Sequence, residues 1–267
     1  MTLRIVQSVG LCTVQDHGRE SLLHRGIARG GALVRSLYEQ ANANVGNTPF
    51  AAAIEVLGKL VVEALNECTV ATDDAKAQYL AAGQRYSVET KRDKRASYFA
   101  VRGGIDVPVR LGSRSTLLSA QFGGYEGRSL KKGDEVCVLA GATAVLSART
   151  EEPALVSSVR IVYGPDADAF DSTALSSLLE AEWIVASSSD RVGTRLHGPI
   201  LARVSVDRRP SMPMIYGAIE VPGDGQPVVL GPEHPITGGY PILAVVCADS
   251  TDAFFARPPG AAVRFVR

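Results

Sequence analysis

The sequence predicts a mainly β protein with two short helices, built as two lobes in tandem. Three observations predict it. Short β-branched runs recur between turn signals supplied by 26 glycines and 14 prolines, the pattern of a barrel or sandwich. Only two stretches carry helical periodicity. Several segments of the first half return, in the same order, in the second.

In the first half the strand-like runs are LRIVQSVG, AAIEVLGKLVVEAL, QRYSVETK, ASYFAVRGG and DEVCVLA. In the second they are SSVRIVYG, EWIVAS, ARVSV, PVVLG, ILAVVCA and AAVRFVR. The first helix is expected over residues 32–45, where Leu33, Leu37, Ala41 and Val45 share a face and Gly46-Asn47 stop it. The second is expected over residues 168–182, with Ala174, Leu178, Leu179 and Ala181 on its apolar face and Asp166 or Asp168 as its N-cap.

The internal echo is collinear. GGIDVP at 103–108 returns as GAIEVP at 217–222, and GGY at 123–125 returns at 238–240. LRIV at 3–6 pairs with VRIV at 159–162, DHGR at 16–19 with DRVGTR at 190–195, and KKGDEVCVL at 131–139 with RPPGAAVRFV at 257–266. These matches predict a duplication, with lobes over 1–148 and 149–267 and a joint at 150–153. The first lobe then carries an insertion holding the first helix and the strands around Glu55.

Composition excludes several classes. Lys plus Arg and Asp plus Glu both number 28, for a net charge of zero, which argues against nucleic-acid or anionic-membrane partners. No apolar run approaches the roughly 18–20 residues of a membrane span. The first residues, MTLRIVQSVG, lack the basic and apolar regions of a signal peptide, so a cytoplasmic protein is expected. Cys12, Cys68, Cys137 and Cys247 form no CxxC pair, so neither a disulfide framework nor a metal site is expected.

The familiar catalytic templates are missing. Ser113 and Ser115 make no G-x-S-x-G elbow, and there is no P-loop, dinucleotide fingerprint, HExxH or EF-hand loop. A site must therefore be assembled from separated loops, several of which join glycines to charge. They hold Asp16, Arg19, Arg25 and Arg29; Asp106, Arg110 and Arg114; Glu126, Arg128 and Lys132; Asp190, Arg191 and Arg195; and Glu233, Thr237 and Tyr240. Arginine on a glycine-rich turn suits carboxylate or phosphate recognition, and an Asp just before Gly-Arg also stabilises turns. Glu55, inside AAAIEVLG, is either an inward carboxylate that needs a partner or a residue on the solvated face of an edge strand.

Taken together, TVQDHGR, GGA, ANANVGN, AIE, GGIDVPVRLGSRST, GGYEGRSLKKGD, SDRVGTRLHG, GAIEVPGDGQPVVL and TGGYP resemble the biotin-dependent carboxyltransferase-like family. That family is also called allophanate hydrolase subunit 2 and includes the KipI antagonist and the C-type component of bacterial 5-oxoprolinase. The resemblance spans about residues 3–266. It implies two tandem cyclophilin-like β-barrels and a partner that is KipI-like, the B-type component of 5-oxoprolinase, with an A-type component beside them. It also implies ATP-dependent opening of 5-oxoproline to glutamate, a small-molecule lactam or amide as substrate, and ATP held in the complex, by a partner. Relatives imply two alternatives: a carboxyltransferase component of a urea-carboxylase-like system, and a non-enzymatic antagonist of a KipI-like protein.

Under that resemblance Asp16, Arg19, Glu55, Asp106 and Arg114 are the catalytic candidates, with arginines facing a developing oxyanion, aspartates orienting them and Glu55 as acid or base. Arg128, Asp190, Arg195, Thr237 and Tyr240 are the substrate-binding candidates. The chain departs from the family pattern at Val34 and Arg35 after GGA, at Glu220 in place of a frequent Gln, at VATDD over 70–74, and at Ile236. These departures bear on the substrate rather than on the fold.

Overall fold

The structure, a computed structural model, describes residues 1–140, 158–204 and 210–267. The chain divides into two compact units, Met1–Ser21 with Arg29–Pro153, and Leu22–Ala28 with Ala154–Arg267. The expected joint at 150–153, like the 148/149 boundary, lies outside the described residues.

Unit 1 is an eight-stranded sheet with one helix. Its spine is a long antiparallel ribbon of β1 (Thr2–Gln15) and β2 (Ala53–Ala64), with Leu3 opposite Ala64 and Gln15 opposite Ala53. Between them the chain forms α1 (Arg35–Val45), ended by Gly46 in the left-handed conformation, φ 79°. Then follow β3 (Cys68–Thr72), β4 (Gln78–Leu80), β5 (Arg85–Glu89), β6 (Ser97–Val101), β7 (Ile105–Asp106) and β8 (Glu135–Val138). The order is β4-β3-β6-β2-β1-β8-β7, with β5 on β2. Because β2 pairs along the length of β1, the strands around Glu55 are part of the sheet rather than an addition to it.

Alternation decides what these strands bury. Leu3, Ile5, Val14, Ile54, Val56, Leu60 and Phe99 are at most 1% exposed and form one cluster. Each such side chain contributes about 1.5–3 kcal/mol when fully withdrawn from water.

Unit 2 contains a closed barrel. Its elements are β9 (Ser158–Tyr163), α2 (Ser172–Glu180), β10 (Trp183–Val185), β11 (Gly193–His197), β12 (Met212–Pro213), β13 (Ala218–Glu220), β14 (Val228–Leu230), β15 (Thr237–Gly238), β16 (Ile242–Val246), α3 (Thr251–Phe255) and β17 (Ala262–Val266). The barrel runs β10-β11-β14-β13-β16-β9-β17 and closes on itself, while β12 and β15 form a separate ribbon. Trp183, Phe254, Phe255 and Phe265 are fully buried, and Trp183 Nε1 donates to the Leu178 carbonyl at 3.1 Å, which satisfies its polar edge.

Three differences from the sequence reading have local causes. The cap of α2 is Asp171, whose carboxylate accepts from Ala174 N at 2.7 Å, because residues 167–169 form a separate 3-10 turn. The third helix, α3, is five residues long, too short to show a period. The run ARVSV carries no strand at residues 202–204, and its last two residues lie outside the described ones. No helix among the described residues is long and apolar enough to cross a membrane.

Three echoed pairs occupy like elements and two do not: GGY is a turn at 123–125 but ends β15 at Gly238, and DHGR is loop where DRVGTR enters β11. LRIV and VRIV lie in β1 and β9, and KKGDEVCVL and RPPGAAVRFV run into β8 and β17. GGIDVP forms β7 and GAIEVP forms β13, each entered through a left-handed glycine, Gly104 at φ 85° and Gly217 at φ 80°. In both, Ile and Val are buried: Ile105 and Val107, Ile219 and Val221. The closing strands differ, since β8 runs antiparallel to β1 whereas β17 runs parallel to β9.

Candidate functional site

Glu55 sits at the centre of the unit 1 sheet, in register with Thr13 on one side and Tyr98 on the other. It is fully buried, so of the two sequence alternatives the inward carboxylate is the one realised. Its Oε2 accepts from Leu33 N at 2.7 Å and from the Tyr98 hydroxyl at 2.7 Å. The Tyr98 oxygen in turn accepts from Val34 N at 2.9 Å. Glu55 thus fixes the entry to α1.

A second buried network joins the end of β1 to the GSRST turn. Asp16 Oδ1 accepts from Gly18 N at 2.8 Å, from the Ser113 hydroxyl at 2.6 Å and from the Ser115 hydroxyl, while Oδ2 accepts from Arg114 N at 2.6 Å. The sequence signature is the Asp-x-Gly turn, which leaves the carboxylate aimed at nearby amides. Arg19, only 2% exposed, donates Nε to the Arg110 carbonyl at 3.1 Å and Nη2 to the Ser115 carbonyl at 2.8 Å. Its guanidinium lies 4.8 Å from the Phe122 ring centroid, a cation–π geometry. Asp16 and Arg19, expected as catalytic groups, therefore spend their charge on backbone and hydroxyl partners and hold two loops in place.

Through the Arg110 carbonyl this network braces a cleft of about 550 Å³ in unit 1. Its lining comes from Asp106, Val107, Pro108 and Arg110, from the run Gln121–Gly127, and from Glu135 and Cys137 on β8. Asp106 and Cys137 face each other in the β7–β8 register. Backbone strain concentrates in the 121–127 run: Gln121 and Glu126 have φ of 48° and 54°, and Gly123, Gly124 and Gly127 share the left-handed region. A non-glycine residue held there costs roughly 1–3 kcal/mol, and such strain gathers at ligand sites. Burial, then the carboxylates of Asp134 and Glu126, keeps the Tyr125 phenol above its ordinary pKa, so it stays a protonated donor at neutral pH.

Of the predicted residues, the structure joins Asp106 and Arg114, with Oδ1 and Nη2 3.6 Å apart. Arg128 is committed elsewhere. It forks onto Asp134 at 2.7 and 3.0 Å, reaches Glu126 at 2.7 Å, and lies over the Tyr125 ring, closing the 126–134 loop instead of waiting for substrate. In unit 2, Asp190 Oδ1 accepts from Val192 N and Gly193 N at 2.8 and 3.0 Å, a turn staple. Arg195 is exposed on β11, in register with Val228, which pairs in turn with Glu220. Burial raises the Glu220 carboxyl pKa and Arg195 partly opposes it. Thr237 and Tyr240 are exposed on and beside β15. Among the described residues no group of three or more His, Cys, Asp or Glu is placed to hold a metal.

Sequence reasoning missed Gln121, Tyr125, Glu135 and Cys137 in the cleft. Arg110 stands among the loop charges of the sequence but not among its site candidates. The usable signal was the glycine density of FGGYEG, which marks a backbone that comes close to something.

The fold is a mainly β chain whose first unit carries a strained, glycine-built cleft. The chain belongs to the carboxyltransferase domain family: the family model described as carboxyltransferase domain, subdomain A and B, matches residues 25–267. It is 34% identical to the C-type component of 5-oxoprolinase from Escherichia coli over 99% of this chain and 91% of that protein. Identity to the corresponding 5-oxoprolinase component of Haemophilus influenzae is 31%, over 89% of this chain and 82% of that one. The crystal structure of the K. lactis urea amidolyase superposes with a TM-score of 0.89 at 25% identity, covering 99% of this chain and 18% of that much longer one.

Proposed function

We propose that this chain is the C-type component of a multi-subunit, ATP-dependent 5-oxoprolinase that opens 5-oxoproline to glutamate. The observation that carries the reading is the end-to-end match to a protein of that name, 34% identical over 99% of this chain and 91% of the relative. Opening a lactam places negative charge on the carbonyl oxygen as water adds, so donors and cations near that oxygen lower the barrier. The Tyr125 hydroxyl in the cleft lining and Arg114, paired with the lining residue Asp106 at 3.6 Å, are the donors suited to that task. The chain has no P-loop, so in this reading ATP is held with or by partner proteins, a KipI-like B-type component and an A-type component. The reading puts the complex in the cytoplasm.

The test is co-purification with the products of neighbouring genes, followed by glutamate release from 5-oxoproline. The assembled complex is expected to turn over only with ATP, and the isolated chain not at all. ATP-dependent turnover by the isolated chain, or none by the full assembly, overturns the proposal. A second reading, a biotin-dependent carboxyltransferase component, is favoured by the superposition on the K. lactis urea amidolyase. It requires biotin-carrier and biotin-carboxylase partners and predicts carboxyl transfer to a urea-like acceptor with no glutamate release from 5-oxoproline.

A further inference from the structure

We propose that Arg110 and the amide edge of residues 123–126 form an anion subsite in the unit 1 cleft, which takes the carboxylate of a small monocarboxylate substrate. The inference rests on the 5-oxoprolinase reading only for the identity of that substrate.

The charges of the cleft point to it first. Each lining carboxylate already has a cation beside it: Asp106 has Arg114 at 3.6 Å, Glu126 has Arg128 at 2.7 Å, which also serves Asp134, and Glu135 has Arg4 at 3.0 Å, which also reaches Glu63. Arg110 lines the same cleft, and among the described residues its guanidinium has no ion pair or hydrogen bond. Arg110 is exposed and is the lining cation with no carboxylate beside it, on the side chain best suited to a forked grip on a carboxylate.

The backbone supplies the second, independent observation. Phe122 N donates to the Leu117 carbonyl at 3.1 Å and Gly127 N to the Gly123 carbonyl at 2.7 Å. Between them, the N–H groups of Gly123, Gly124, Tyr125 and Glu126 meet no acceptor among the described residues, although Gly124 is buried. A buried amide without an acceptor, as at Gly124, is rare in folded proteins and calls for a partner, while Gly123 and Tyr125 are half-buried and Glu126 is exposed. Successive amides on a run with left-handed residues make an anion-binding concavity, and Gly123, Gly124 and Glu126 have φ of 70°, 52° and 54°.

The two halves share one support. Arg19 bonds the Arg110 carbonyl and the Ser115 carbonyl, and a Cβ on Gly123 would overlap Arg19 Nη2 and Ser115 O. The 110–113 turn is closed by Arg110 N to Ser113 O at 2.8 Å, with Leu111 at φ 53°. The buried network thus holds the backbone of Arg110 and the start of the amide run on one base, which is what a selective site requires. A monoanion matches the single charge of Arg110, whereas a phosphate dianion meets twice the repulsion from the lining carboxylates Asp106, Glu126 and Glu135.

The test titrates the full chain, alone and in the assembled complex, with 5-oxoproline, with 2-pyrrolidinone (the same lactam without its carboxylate) and with inorganic phosphate. 5-Oxoproline is expected to bind at least 10-fold more tightly than either of the others. Arg110→Gln should weaken it by roughly 10- to 100-fold, the scale of a charge-assisted pair, and Arg110→Lys should restore part of it. In the complex, Arg110→Gln should raise KM and leave kcat within a few-fold. Equal binding of 2-pyrrolidinone, tighter binding of phosphate, no carboxylate binding in either form, or an unchanged KM in Arg110→Gln each overturns the subsite. If the complex binds 5-oxoproline through Arg110 yet releases no glutamate, the subsite stands and the 5-oxoprolinase reading falls.

Discussion

The Tyr98 hydroxyl donates to Glu55 Oε2 at 2.7 Å while accepting from Val34 N at 2.9 Å. One carboxylate and one phenol therefore satisfy two buried amides at the mouth of α1, Leu33 and Val34. Glu55→Ala should cost about 2–5 kcal/mol in urea unfolding, because the Leu33 amide and the Tyr98 hydroxyl both lose their acceptor. Glu55→Gln keeps an acceptor oxygen and should cost about 1–2 kcal/mol. If Glu55 instead acts as acid or base, Glu55→Gln will abolish turnover by the complex with little loss of stability.

A pH experiment separates Glu220 from the other carboxylates. Burial raises its pKa above the ordinary 4.5, and the Arg195 charge pulls against that rise. For a carboxyl raised in the folded state, the favourable contribution is complete below the unfolded pKa. It is lost as pH rises through the folded one. Glu220→Gln should therefore match the parent protein in acid, below about pH 4.5, and exceed it at pH 7 in denaturant unfolding. Arg195→Gln should destabilise the parent at pH 7 and have a smaller effect in the Glu220→Gln background. Equal stability of Glu220→Gln and parent at both pH values would contradict the assignment.

The second unit holds a buried ion pair, Arg191 Nε to Glu233 Oε1 at 2.6 Å, with both side chains no more than 2% exposed. Removing one partner strands the other charge, so Arg191→Ala or Glu233→Ala should each cost about 3–5 kcal/mol. Replacing both, as in Arg191→Met with Glu233→Leu, should cost far less, since two ions no longer need to be desolvated. Thermal unfolding of the two single variants and the double variant completes the cycle. Additive losses would show that the pair is not coupled.

The strands were legible because alternation and β-branched runs survive in any context, as in LRIVQSVG for β1 of the unit 1 sheet and ILAVVCA for β16 of the unit 2 barrel. The echo of GGIDVP and GAIEVP was legible because a left-handed glycine, two buried apolar residues and a proline leave few substitutes. The roles of charged residues were not. Asp16 and Arg128 read as site residues from their neighbours in sequence. Their partners, Ser113 and Ser115 for one and Asp134 for the other, are set by loop closure that no local pattern records. Arg110 was passed over for the converse reason: in sequence it is one of several arginines, and only the pairing of the rest singles it out.

Two glycines beside the cleft separate conformational cost from steric cost. Gly112 has φ 81° and nothing within 4 Å of a Cβ placed on it, whereas Gly124 has φ 52° and its Cβ would overlap Thr116 Oγ1. Gly112→Ala bears only the left-handed penalty, about 1–2 kcal/mol. Gly124→Ala adds an overlap that the loop must relieve by moving, about 1–3 kcal/mol more. It should also shift the 123–126 amides and weaken 5-oxoproline binding, which Gly112→Ala should leave nearly intact because the 110–113 turn has open space around it. Calorimetric Tm and ligand titration on both variants check the pair. Equal losses of stability and of affinity in the two would mean that close packing against Thr116 does not set the loop.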